Sequence, residues 1–273
     1  MVSSSLDRKW LHLYCSSSVA NFKEKLNKKL NLPEYNKEAI NESVLFFGMY
    51  HKNDYKRFIK HKGKRIVYWC GSDILNLNWK NNWIFRLFKA EHICENKVEQ
   101  NQLFKNGIVA EIKPLYLGKN FDISYKQSDK PHVWFCIHPK REVEYGLYII
   151  YLVAERLSEI IFHIYGIEKP VGIFNWTDNV IFHSKIIEEQ LDEDIKNYQA
   201  GIRLNEFDGF SEVISKSILL GQYPISRIKY DYVDSFSTIE DLLFLLHKLK
   251  YKYKPNVLAR NYWMYEFNKW QLK

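Results

Sequence analysis

What the chain lacks narrows the field first. No run of about 18 uncharged apolar residues occurs, so the sequence predicts no membrane-spanning helix. The N-terminal stretch MVSSSLDRKWLHLYCSSS holds no apolar segment of the length a secretory signal needs. Only four cysteines are present, Cys15, Cys70, Cys94 and Cys136, and none forms a CxxC pair. Their spacing argues against a disulfide framework and a cysteine zinc site, and predicts buried, reduced thiols in a cytoplasmic protein. The nine histidines show no HExxH or other ligand spacing, so no metal is expected. The common nucleotide-triphosphate, dinucleotide and serine-hydrolase signatures (GxxxxGKS/T, GxGxxG and GxSxG) are missing as well.

What is there is an aromatic, lysine-rich chain of 273 residues, 46% hydrophobic and 16% aromatic, with enough apolar content for one large core or two ordinary ones. The net charge of +8 is unevenly placed. Through Lys130 there are 23 Lys and Arg against 13 Asp and Glu; beyond it there are 17 against 19. Part of this is a general richness in lysine. The sharper reading is a basic first half that meets an anionic partner: membrane headgroups, a nucleic acid or an acidic glycan.

Short apolar runs alternate with helix-like segments, which predicts an α/β architecture with parallel sheets. In the first half the expected strands are 10–15, 44–50, 65–70 and 108–117, with helices over 19–30, 54–61, 74–87 and 95–106. The polar stretch 118–131 reads as a linker. A second series follows, with strands at 132–137, 159–165, 179–184, 201–204 and 223–228. Its helices are expected at 145–156, 187–200, 211–220, 238–249 and 255–272. The acids of the 187–200 helix, Glu188, Glu189, Asp192, Glu193 and Asp194, read as a solvated face. Two Rossmann-like domains facing each other are the expectation: 1–125, then 126–254, with a C-terminal helix at 255–273 crossing back.

Four turns stand out. Tyr68-Trp69-Cys70-Gly71-Ser72-Asp73 ends a strand in a glycine turn, and taken alone is equally a well-capped βα turn. His138-Pro139-Lys140-Arg141, with Tyr145 and Gly146, puts two cations after a strand, where they would neutralise a diphosphate or form only an exposed basic loop. Arg203 ends a strand, and Asp208-Gly209-Phe210-Ser211 leads into a helix whose free N–H groups favour an anion. Asp-Gly turns and Ser caps are common, so this signal is weak by itself. The last is the basic run Lys52, Lys56, Arg57, Lys60, Lys62, Lys64 and Arg65, with His51 and His61, which is as often a solvated helix face.

Taken in order, these pieces resemble glycosyltransferases of the GT-B fold, in particular family 4, or group 1. VWFCIHPKREVEYG, EIIFHIYG, NVIFHSKIIEEQLDEDIKNYQAGIRL and DGFSEVISKSILLGQYPIS follow the family's donor-domain motifs over roughly residues 132–228. The first half matches less sharply, through FFGMYHKNDYKRFIKHKGKRIVYWCGSD and HICENKVEQNQLFKNGIVAEIKPLYLG. The resemblance implies an N-terminal acceptor domain and a C-terminal nucleotide-sugar domain. It implies that Asp208 holds donor hydroxyls, that the backbone at Gly209, Phe210 and Ser211 faces the diphosphate, and that Lys140 or Arg141 supplies the cation. Arg203 and Tyr145 would line the donor side. Asp73 and Glu95 align with cleft-edge passages, and His51 or His92 would lie near the acceptor. Lys216 departs from the pattern, because it stands where the family carries a glutamate for the ribose, and an ammonium accepts no hydrogen bond. Glu212 lies one turn earlier, about 6 Å along the axis. The glycine-rich loop of the family's first domain is replaced by Ser16, Ser17 and Ser18, and the acceptor domain is expected to be trimmed.

The resulting expectation is a retaining, metal-independent hexosyltransferase without a prosthetic group. It would take a UDP- or GDP-sugar and an anionic or lipid-linked glycan acceptor. The basic first half would give peripheral membrane contact, with Trp79, Trp83, Phe85 and Phe88 as an apolar foot or as plain core. The alternatives are a catalytically silent glycosyltransferase-like binding module or partner subunit, suggested by Lys216, and a nucleic-acid-binding or nucleic-acid-modifying protein, which no recognised motif supports.

Overall fold

In a computed structural model of the chain, the described residues are 11–77, 79–172 and 174–270, with backbone alone for 79–81. The expected strand residue Trp10, the side chain of Trp79 and the end of the last expected helix at Leu272 lie outside them. The chain forms two compact units. The first runs to Gly118 and takes in Phe207–Phe210 and the chain from Tyr265 onward; the second comprises Lys119–Glu206 and Ser211–Met264.

The first unit carries β1 (Leu11–Cys15), α1 (Lys23–Leu30), β2 (Ser43–Phe47), α2 (Lys52–Lys60), β3 (Arg65–Tyr68), α3 (Ser72–Leu75), α4 (Trp79–Leu87), β4 (Glu91–Cys94), α5 (Lys97–Lys105) and β5 (Glu111–Ile112). Among the described residues its five strands are all parallel, in the order β1-β2-β3-β4-β5. Strand β2 reads SVLFF because both of its faces are covered. Val44 and Phe46 join a core with Phe58, Trp69 and Phe85, while Leu45 and Phe47 join another with Leu13, Leu26 and Trp270. Trp270 closes that second core, with its ring 5.5 Å from Tyr68 and its indole N–H donating to the Pro114 carbonyl at 2.9 Å.

The second unit carries β6 (His132–Cys136), α6 (Leu147–Ala154), β7 (Ile161–Tyr165), β8 (Val180–His183), α7 (Glu188–Asp194), β9 (Ala200–Arg203), α8 (Glu212–Leu219), β10 (Ile225–Ser226), β11 (Asp234–Ser235) and α9 (Ile239–Lys248); α10 (Val257–Asn268) starts here. Among the described residues the six strands are parallel, in the order β11-β10-β9-β6-β7-β8. One sheet face is apolar, with Val133, Phe135, Phe162 and Ile164 packed on α6 and α9. The other is polar and aromatic. On it the rings of His132, His163 and His183 run diagonally across three strands, with His132 Nδ1 2.8 Å from His163 Nε2 and His163 Nδ1 3.0 Å from His183 Nε2. Helix α9 starts at a reciprocal cap: Thr238 Oγ1 accepts the Asp241 N–H at 3.1 Å and Asp241 accepts the Thr238 N–H at 3.0 Å.

Several expected elements change. The strand expected at 108–117 shrinks to β5, and a strand, β4, stands where none was expected. Its His92 is held by stacking on Trp69, a contact that hydropathy alone does not reveal. The helix expected at 74–87 divides into α3 and α4, since Asn76 is a poor helix former and Leu77 turns inward. The helix expected at 187–200 ends in a short 3-10 turn at Ile195–Asn197, after which the chain enters β9.

Candidate functional site

In the second sheet the strand order reverses between β6 and β9, which pair directly through Val133↔Ala200 and Trp134↔Gly201. Loops leave such strands in opposite directions, and ligands of open parallel sheets bind in the crevice outside their C-terminal ends. The first sheet, with its strands in sequence order, offers no such reversal among the described residues.

Two close approaches shape the crevice of the second unit. Gly146 has φ +77°, and a Cβ there would stand 2.7 Å from Leu204 Cβ, so glycine lets the start of α6 meet the chain leaving β9. A Cβ on Gly201 would stand 2.9 Å from the Val213 carbonyl oxygen, so glycine lets α8 settle on β9. The guanidinium carbons of Arg203 and Arg141 lie 4.5 and 5.6 Å from the centre of the Tyr145 ring. Arg141 also pairs with Glu144 at 2.5 Å. Lys140 is exposed, in the left-handed region at φ +69°, and its N–H donates to Glu142 at 3.0 Å. The structure thus groups Arg141, Tyr145 and Arg203, with Lys140 beside them on the same loop. Beside that loop, the turns after β6, β7 and β8 bound an open groove of about 650 Å³, lined among others by Pro139, Glu142, Ile167, Lys169 and Ser184. Burial pushes the Cys136 thiol up to about 11 despite the nearby cations of Arg203 and Lys216, so it stays protonated.

Ser211 caps α8, accepting the Val213 N–H at 3.2 Å, and Glu212 follows as its first residue. Lys216 is 2% exposed. Its ammonium donates to Asp192 at 2.7 Å and to Glu188 at 3.0 Å, and Lys119 pairs with the other Asp192 oxygen at 2.9 Å. The lysine that stands out in the sequence is thus the counter-ion of α7. This corrects the solvated-face reading of that helix: Asp192 is 2% exposed and ion-paired.

The remaining expected residues lie in the first unit. Asp208, Gly209 and Phe210 come together there with Glu95 and with the turn at Gly71. The Phe210 N–H donates to Glu95 Oε2 at 2.8 Å, and the Asp208 carbonyl accepts from Asn96 at 2.7 Å. A Cβ on Gly71 would stand 3.2 Å from the Gly209 nitrogen. Burial, reinforced by the Asp208 charge, pushes Glu95 up to about 7, although Tyr68 and the Phe210 N–H favour its charged form. Glu99, at 0% exposure, belongs to the same cluster and was not anticipated; the Asn-x-x-Glu spacing from Asn96 is the helix-start pattern that would have flagged it.

Asp73 is fully buried and accepts the N–H groups of Cys70 at 3.0 Å and Met49 at 3.1 Å, which makes it a clasp for the Gly71 turn. His51 stands at the start of α2, donating its N–H to Asp54 at 2.8 Å, with its ring on Ser18 at 2.7 Å. His92 accepts the Trp69 indole N–H at 3.3 Å and is pushed down to about 4 by burial. Of the basic run, Arg65 is interior: it donates to the Phe58 carbonyl at 2.9 Å and lies 4.3 Å over Phe88. Among the described residues no group of three or more His, Cys, Asp and Glu is arranged to hold a metal ion, and no helix is long and apolar enough to cross a membrane.

No protein-family model and no curated protein matches the sequence. Solved structures do. The lipopolysaccharide outer core galactosyltransferase WaaB matches at 12% identity and TM-score 0.61, over 96% of this chain and 98% of that one. HepE of Anabaena, solved with UDP and glucose, matches at 12% identity and TM-score 0.58, over 83% and 74%. TarM matches at 13% identity and TM-score 0.56, over 83% of this chain and 51% of that one, so the chain spans about half the length of TarM.

Proposed function

Starting from the GT-B fold that these structures share with the chain, we propose that it is a glycosyltransferase using a nucleotide-sugar donor. The observation that carries this reading is the reversal point of the second sheet, where Arg203 and Arg141 flank Tyr145 and Lys140 stands on the same loop. A cation there would neutralise charge as the sugar–phosphate bond breaks and the nucleoside diphosphate departs. The neighbouring groove takes the nucleoside; for Asp208, in the first unit, a role in holding donor hydroxyls is proposed from the sequence resemblance alone. A UDP-sugar is the first donor to try, because HepE and the S. aureus TarM variant were both solved with UDP. The finer expectations of a retaining, metal-independent hexosyl transfer belong to the same proposal. So does a glycan or lipid-linked acceptor at the first unit, with peripheral membrane contact through the basic α2 and the exposed Trp83 and Leu87 of α4.

A screen of UDP- and GDP-sugars for donor hydrolysis, repeated with Asp208→Ala, tests it. Hydrolysis that Asp208→Ala abolishes is expected; hydrolysis that survives the change unaltered would remove Asp208 from the site. A second reading, a silent binding module, is favoured by the engagement of Lys216 with Asp192 and of the Phe210 N–H with Glu95. Calorimetric titration that finds no nucleotide bound would select it.

A further inference from the structure

At the turn proposed to face a donor phosphate, the chain has placed an anion of its own. Glu95 accepts the Phe210 N–H through Oε2 at 2.8 Å and the Tyr68 hydroxyl through Oε1 at 2.7 Å. A Cβ on Gly209 would stand 2.0 Å from Glu95 Oε2, so the carboxylate lies directly against the turn. Behind it, Glu99 accepts the Glu95 N–H through Oε2 at 2.6 Å. Its other oxygen, Oε1, is buried with no hydrogen-bond partner. That oxygen would lie 3.7 Å from a Cβ on either Gly71 or Gly209, so it is aimed into the narrow space between the two turns. The charged groups facing the pair are Asp208 from the turn and Asp73 from α3, with Tyr68 and Cys70 of the β3 end beside them. All four are acids, and crowding acids in a buried place favours keeping a proton among them.

We propose that Glu95 is a built-in competitor for the anion site at the Asp208–Phe210 turn, so that a phosphate-bearing ligand captures the Phe210 N–H only as the Glu95–Glu99 carboxyl pair takes up a proton. The proposal rests on the donor reading of this turn. In the exchange, the Phe210 N–H leaves Glu95 Oε2 for a phosphate oxygen, and a proton from solvent neutralises the displaced carboxylate. Burial already holds Glu95 near 7 and Glu99 well above its ordinary value, so the proton is available close to neutrality. Without that uptake, phosphate and carboxylate charges would face each other across one N–H, in a place where a like-charge pair is far more costly than in water.

The test is calorimetric binding of UDP to the full chain at pH 7.5, 8.0 and 8.5, above the secondary phosphate ionisation at about 6. The wild type is expected to weaken up to about tenfold per pH unit, the signature of one proton taken up on binding. Glu95→Gln should bind at least about tenfold more tightly at pH 8.5, with no pH trend. Glu99→Gln removes the carboxyl that shares the incoming proton with Glu95, so uptake becomes harder and it should bind UDP more weakly than the wild type at pH 7.5. Opposite signs for two Glu→Gln changes four residues apart are not what a merely loosened turn produces. A pH-independent wild-type affinity with Glu95→Gln within twofold of it would overturn the competition while leaving the donor reading intact. UDP bound by Glu95→Gln but not by the wild type would support it. No binding by either protein at millimolar UDP would defeat the donor reading and this proposal with it.

Discussion

Putting back the acid that the motif leads one to expect, with Lys216→Glu, should cripple the second unit rather than repair a nucleotide grip. Lys216 is 2% exposed and holds Asp192 at 2.7 Å and Glu188 at 3.0 Å. Removing one partner of a buried pair costs about 3–5 kcal/mol. Two features reduce that figure here: the Glu188 side chain is 39% exposed and partly screened, and Lys119 remains on Asp192 at 2.9 Å. Lys216→Met is therefore expected to cost about 2–3 kcal/mol, just under the buried-pair range. Lys216→Glu adds repulsion, since two unit charges about 4 Å apart near a protein surface interact by about 4 kcal/mol. Its total of about 6 kcal/mol or more would consume much of the roughly 5–15 kcal/mol that holds a domain folded. Urea unfolding followed by circular dichroism reads this directly. With a slope of about 2 kcal/mol per molar, the midpoint should fall by about 1 M for the methionine variant and about 3 M for the glutamate variant. Burial pulls the Lys216 pKa down, but hydrogen bonds and charge from Asp192 and Glu188 outweigh it, and the net shift is upward. The pair's contribution is then complete below the ordinary 10.5 and is lost only as pH rises through the higher folded value. A Lys216→Glu protein that unfolds within 0.5 kcal/mol (roughly the usual range of a harmless surface change) of wild type would refute the ion-pair account.

Other perturbations are sharper in location. Asp73→Asn leaves a carbonyl for one of the two N–H groups that Asp73 holds and turns an amide donor on the other, so the first unit should lose about 1–3 kcal/mol in a denaturant titration. Full stability in that variant would contradict the clasp. Gly63→Ala would drive a Cβ to 1.9 Å from the Glu42 carbonyl oxygen, a backbone atom. Thermal melting should register about 1–3 kcal/mol of overpacking, and an unchanged melting point would contradict the close approach. His163 is held down to about 3, chiefly by burial and then by His132 and His183. Because that folded value lies below the ordinary 6.5, the stabilisation is complete above pH 6.5 and drains away as pH falls below it. Removing this proton site with His163→Phe should flatten the acid limb of stability against pH by up to about 1.4 kcal/mol per unit; an equally steep limb would place the acid sensitivity elsewhere.

How far the fold was legible follows from which interactions are local. Strands β2, β3, β6 and β7 were visible as short apolar runs because buried parallel strands need apolar residues on both faces. Strand β4 was not, since Glu91 and His92 look polar until His92 stacks on Trp69, 23 positions earlier in sequence. The cap of α9 at Thr238 and the Gly71 turn are encoded within a few residues and could be read directly. The site was less accessible. Lys216 was visible as an oddity, but its partners sit 24 and 28 positions away on a helix whose charge run looks solvated. Glu95 meets the Phe210 N–H across 115 positions, and no periodicity carries that information. The grouping of Arg203 with Tyr145 depends on the order of strands in a sheet, which spacing along the chain does not specify.

The diagonal of imidazoles across β6, β7 and β8 has a consequence of its own. A neutral imidazole carries one hydrogen, and each of the two ring-to-ring bonds needs one donor and one acceptor. If His163 donates from Nδ1 to His183, it must accept at Nε2 from His132 Nδ1–H; if it donates from Nε2, all three rings reverse together. The three tautomers are therefore a single binary variable, and the row of rings has a direction. That direction is tied to a second chain of donors. The Tyr165 hydroxyl reaches Asp194 at 3.4 Å and Tyr198 at 3.0 Å, and the Tyr198 oxygen lies 3.1 Å from His163 Nδ1. With Tyr165 donating to Asp194 and Tyr198 donating to Tyr165, the Tyr198 oxygen is left to accept a share of the His163 Nδ1–H that also points to His183. One carboxylate at the end of α7 thereby polarises a strip of hydrogen bonds spanning three strands.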